Sequence, residues 1–64
     1  MPTDKQLVAF KIGARARKLA NEDCIIEGYE MLMTAIAESS ESDPELHELL
    51  QKELAKYEKR VEDM

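Results

Sequence analysis

Apolar residues recur at helical spacing in three stretches of this chain, and the three apolar faces differ in width. Thr3–Ala20 carries a face of small residues, Asp23–Glu38 is apolar almost all round, and Pro44–Glu62 carries one narrow stripe. A period of 3.6 in every segment excludes a sheet, so the chain is expected to be all-α. Its 64 residues form one domain, residues 1–64, near the size at which a single core barely outweighs chain entropy. A lone cysteine excludes an internal disulfide, and one cysteine with one histidine cannot build a standard zinc site. Regular helix packing and self-association remain as the means of stabilisation.

The first stretch opens with Thr3 and Gln6 at capping-box spacing. At about 100° per residue, Ala9, Gly13, Ala16 and Ala20 form a ridge of small residues beside Val8, Ile12 and Leu19. Such a ridge lets another helix backbone come close. Lys11, Arg15 and Lys18 share a neighbouring face. At Asn21-Glu22-Asp23 the apolar face turns by roughly 120°, which indicates a kink or short connection. One continuous helix lining two different partners would show the same shift, giving a long helical hairpin instead. Asn21 and Asp23 are both good helix starters, so the second helix is expected to begin there.

The second stretch carries Ile25, Tyr29, Leu32 and Ile36 as its main stripe. Cys24, Met31 and Ala35 cover one flank; Ile26, Met33 and Ala37 cover the other. A helix apolar over most of its circumference is contacted from several sides. Two neighbours in so short a chain cannot cover it all, so a further contact is expected on the Cys24, Met31, Ala35 flank. Ser39 to Pro44 reads as a loop, with Ser42 and Glu45 as a second capping box and Asp43 as the alternative cap. Leu46, Leu50, Leu54, Tyr57 and Val61 complete a single stripe, and the pairs Glu48–Lys52 and Glu53–Lys56 are assigned to the solvated side. The expected architecture is a three-helix bundle with helices near 4–20, 23–38 and 44–62 and a core of Ile25, Tyr29, Ile36, Leu50, Leu54 and Tyr57.

The net charge of −5 is unevenly spread. Residues 1–20 hold five basic side chains against Asp4, whereas residues 21–64 hold four basic against thirteen acidic. An acidic whole argues against general nucleic-acid binding, but the basic first helix leaves a phosphate, an anionic membrane surface or an acidic partner open to Lys11, Arg15 and Lys18. The bland alternative is that those cations pair with the acidic segments of the same molecule. Aromatic residues for base stacking are missing there apart from Phe10.

No chemistry is spelled out. Cys24 and His47 are the sole candidate nucleophile and base, with no third group to orient the imidazole. Gly13 and Gly28 lie inside helical patterns, outside any phosphate-binding loop. The acidic residues lack calcium-loop spacing and no Glu-x-x-His pair occurs. No cofactor or metal is expected. The start, Met1-Pro2-Thr3-Asp4, lacks the basic and apolar regions of a secretory signal, and the longest nearly apolar run, Met31–Ala37, is far short of the ~20 residues of a membrane helix. A reduced, cytoplasmic setting with a free thiol is expected.

The tail Leu50–Met64, with Tyr57-x-x-Arg60-x-Glu62, resembles the third helix of the microtubule-interacting-and-trafficking domain. That resemblance implies a three-helix bundle that clamps peptide helices, and it covers about a quarter of the chain. The alanine-rich second helix of that family is replaced here by Met31-Leu32-Met33, and Glu58 stands where an apolar groove residue is usual. The residues themselves point to a non-enzymatic protein-binding module, acting as a regulator, inhibitor or adaptor and forming a homodimer through the second helix. Its contact residues would be Cys24, Met31 and Ala35, with Lys11, Arg15 and Lys18 as a second surface. Two alternatives stand beside it: a nucleic-acid-associated dimer using the basic face, and an acidic inhibitor whose third-helix carboxylates imitate phosphates.

Overall fold

The computed structural model describes residues 3–63; Met1, Pro2 and Met64 lie outside the described residues. Three helices, α1 (Asp4–Asn21), α2 (Ile25–Ser42) and α3 (Pro44–Glu62), each pack against the other two. Lys5 at the start of α1 meets Glu45 at the start of α3, and Asn21 at the end of α1 meets Arg60 near the end of α3. The order is therefore up, down, up, with α1 and α3 parallel. The chain is an all-α three-helix bundle.

Local signals set the boundaries. Thr3 and Gln6 form the expected capping box: the Gln6 amide donates to Thr3 Oγ1 at 3.2 Å, and the Thr3 amide donates to Gln6 Oε1 at 2.9 Å. At the other end of α1 the Asp23 amide donates to the Ala20 carbonyl and the Cys24 amide to the Leu19 carbonyl, at 3.1 and 2.8 Å. This is a Schellman turn, and it places Asp23 in the left-handed region with φ 66°. The two helices are thus separate. Asp23 ends α1 rather than starting α2, and Cys24 takes the N-cap position.

The expected loop from Ser39 to Pro44 is a correction. α2 continues to Ser42, and Asp43 alone joins it to α3. The serines are helical, with their hydroxyls folded back onto the preceding turn: Ser39 donates to Ile36, Ser40 to Ala37 and Ser42 to Glu38, at 3.1, 2.9 and 2.9 Å. With Ser42 turned backwards, Asp43 is the cap of α3, accepting from the Leu46 amide at 3.2 Å, and Pro44 occupies the first turn.

The core is built on small residues. Ala9, Gly13, Ala16 and Ala20 are buried, which is the predicted ridge. Leu32, Leu50 and Tyr57 fill the space they leave, with Ile12, Met31, Leu54 and Val61 packed at the edge. Gly28 faces the same centre. A Cβ there would stand 2.7 Å from both the Ala16 carbonyl oxygen and the Tyr57 hydroxyl, so the missing side chain is what admits α1 and the Tyr57 ring. The Tyr57 hydroxyl donates to the Ile25 carbonyl, and burial pushes the phenol above its ordinary value.

Two expected core residues do not belong there. α2 is rotated so that Gly28, Leu32 and Ser39 point inward, which leaves Ile25 and Tyr29 37% and 42% exposed. Tyr57 occupies the place a large α2 residue would need.

Candidate functional site

The rotation of α2 decides which of its flanks is free. Met31 is half-buried and packs on the core, and Ala35 lines a crevice with Ile12 of α1 and Leu46 and Leu50 of α3. Cys24 is also half-buried, its thiol 3.7 Å from the Glu22 carbonyl oxygen. The flank assigned to a partner from sequence therefore faces α1. The opposite flank is open: Ile26 is 73% exposed and Met33 42%, beside Tyr29 and Ile25.

That flank runs into a groove between α2 and α3 of about 460 Å³, lined by Ile25, Ile26, Tyr29, Tyr57, Val61, Glu58 and Glu62. Its floor is apolar and its only charged lining groups are two carboxylates one helical turn apart. α2 contains no Lys or Arg at all, so the opposite wall supplies nothing to neutralise them. An apolar floor with an acidic edge suits an apolar, cationic surface.

The cations of α1 divide into two groups. Lys5 and Arg17 are used internally. Lys5 Nζ lies 3.2 Å from Asp43 Oδ1 and 3.2 Å from Glu45 Oε2, clamping α1 to the joint between α2 and α3. Those carboxylates raise the pKa of Lys5, while the Leu46 amide and Lys5 hold Asp43 below the ordinary carboxylate value. Arg17 Nη1 lies 3.1 Å from Glu53 Oε2, and its guanidinium stands 5.9 Å from the Phe10 ring centre. Glu53 is buried, which sequence assigned to the solvated side; Lys56 approaches it only at 3.9 Å. The signal for Glu53 was Gly13, because its carboxylate sits where a Gly13 side chain would be.

Lys11, Arg15 and Lys18 behave differently. All three are exposed, and none makes an ion pair among the described residues. Internal pairing accounts for Lys5 and Arg17 but leaves this ridge untouched. Leu7 and Val8, 41% and 44% exposed, extend it as an apolar patch.

Cys24 and His47 are not brought together. The His47 imidazole is bonded at Nδ1 to the Ile36 carbonyl, at 2.9 Å, and at Nε2 to the Gln51 amide, at 3.1 Å. Ile36 lies twelve residues beyond Cys24, about 18 Å along the helix axis. Among the described residues no group of three or more His, Cys, Asp or Glu is placed to hold a metal ion. No helix among them is long and apolar enough to cross a membrane. The carboxylates of α3 form no continuous strip, since Glu53 is buried against Arg17 and Glu45 is held by Lys5.

Compared with family models, with curated proteins and with solved structures, the chain matches none.

Proposed function

We propose that this protein is a non-catalytic protein-binding module, acting as a regulator, inhibitor or adaptor and self-associating through α2. The observation that carries the reading is the open α2 flank, where Ile26, Tyr29 and Met33 project beside a groove to α3. Single exposed apolar residues are ordinary, but several on one helix beside an apolar groove mark a contact surface. The separation of Cys24 from His47 removes the one candidate catalytic pair.

A nucleic-acid-binding reading is favoured by one feature, the exposed ridge of Lys11, Arg15 and Lys18, which makes no ion pair among the described residues. It would predict binding that falls steeply with salt.

The test is a nuclease-treated pull-down of the tagged protein from its own host's lysate, beside Ile26→Glu and a Lys11→Glu, Arg15→Glu, Lys18→Glu variant. A protein partner retained through nuclease and lost with Ile26→Glu supports the reading. Nucleic acid recovered before digestion, and lost only with the charge-reversed helix, overturns it.

A further inference from the structure

The bundle presents two unlike faces that cannot meet within one molecule. The outer side of α1 carries Lys11, Arg15 and Lys18 beside Leu7 and Val8, all exposed. The groove between α2 and α3 carries Glu58 and Glu62 at the edge of an apolar floor of Ile25, Ile26, Tyr29 and Val61. Lys11 and Arg15 are spaced four residues apart, as are Glu58 and Glu62, so both ladders repeat at about 6 Å along a helix. The buried side of α1 is its small-residue ridge, which turns the cations directly away from α2 and α3. The groove opens between those two helices with no α1 residue in its lining, on the far side of the molecule.

We infer that a second copy of this chain occupies the α2–α3 groove, laying the outer face of α1 across it. Leu7 and Val8 then cover the apolar floor while Lys11 and Arg15 stand over Glu58 and Glu62. The inference rests on the self-association proposed above and specifies which surface meets which. The charge match is local: it gives two cations and two carboxylates, all four without an ion-pair partner among the described residues, an opposite charge to face, although the overall charge of −5 on each copy opposes close approach. Concentration is therefore the variable that reveals the contact.

Joining two different faces has a geometric result. A two-fold pair uses the same patch on both copies, whereas here each added copy leaves one groove and one α1 face free. Because the faces point in opposite directions, association extends head to tail instead of closing at two.

A charge swap tests this. One variant carries Glu58→Lys and Glu62→Lys; the other carries Lys11→Glu, Arg15→Glu and Lys18→Glu. All five positions are exposed, so both variants are expected to keep wild-type helicity by circular dichroism. Sedimentation velocity up to the highest soluble concentration should show wild-type species growing beyond the dimer. Each variant alone should stay monomeric, and an equimolar mixture should recover the wild-type distribution. A wild type that associates while the α1 variant associates equally well overturns the inference and leaves self-contact through α2 standing. A wild type that remains monomeric throughout overturns it too, and protein binding is then judged by the pull-down alone.

Discussion

At the scale of the residue, the two glycines and Asp43 carry the sharpest consequences. Gly28→Ala should lower stability even though alanine is the better helix former. The propensity gain is at most about 1 kcal/mol. Against it stands a Cβ placed 2.7 Å from the backbone oxygen of Ala16, which cannot retreat as a side-chain tip would. Overpacking of this kind costs roughly 1–3 kcal/mol, so urea unfolding is expected to show a net loss. Gly13→Ala meets only the Glu53 side chain, its nearest atom the carboxylate tip at 2.6 Å, and should cost less. A Gly28→Ala variant as stable as wild type would remove the close approach of α1 from the account of the core. Asp43 supplies a pH signature. Its folded pKa is depressed, chiefly by the Leu46 amide, so its stabilisation is present above the ordinary carboxylate value and is lost as pH falls through the folded one. Asp43→Asn keeps an acceptor for the Leu46 amide but does not titrate. Its Tm should fall less than that of the wild type between about pH 5 and pH 2, and parallel Tm curves would exclude this role.

At the scale of the element, α2 separates what pattern can and cannot disclose. Ile26→Glu should leave unfolding nearly unchanged, within about 0.5 kcal/mol, because the side chain is already in water. Met31→Glu should cost clearly more, roughly 1–3 kcal/mol, since it sets a carboxylate at the edge of the cluster around Leu32 and Tyr57 and removes the packing of Met31 there. Thermal melts of the two variants side by side decide it. The sequence alone suggested the reverse assignment of these flanks. α1 carries a single ridge of small residues and α3 a single apolar stripe, so their inward sides are legible from period alone, although α1 also shows Leu7 and Val8 to solvent. α2 is apolar nearly all round, and periodicity then fixes no phase. What fixed it was Gly28, whose meaning depends on Tyr57 and Ala16 arriving from other helices. The serine run misled for a related reason. Serine favours loops when its hydroxyl bonds the backbone in a non-helical conformation, but the hydroxyls of Ser39, Ser40 and Ser42 find their partners on carbonyls of their own helix, so the run is compatible with a helix after all. The capping box at Thr3 was readable because both partners are local. The candidate site was half readable: the cationic ridge of Lys11, Arg15 and Lys18 is a property of one helix, whereas the groove needs two.

At the scale of the whole molecule, a ridge of alanines and glycine gives α1 few interlocking features against α3. Smooth helices held by such a face have little to distinguish one register from the next. Glu53 changes this, for its carboxylate drops over the gap at Gly13 and is fastened there by Arg17 at 3.1 Å. Removing Arg17 alone leaves a buried carboxylate without its main partner, and Arg17→Met should cost roughly 1–3 kcal/mol because that arginine is itself partly solvated. Replacing both, Arg17→Met with Glu53→Leu, should restore most of that loss, since apolar groups of similar size commonly match a buried pair. The uncharged double variant should nevertheless give broadened amide resonances along α1 where the wild type gives sharp ones. That broadening would mark the pair as a detent, one that adds little to how tightly the helices are pressed together and joins Lys5 and Asn21 in fixing the notch at which α1 comes to rest; equally sharp resonances would exclude the role.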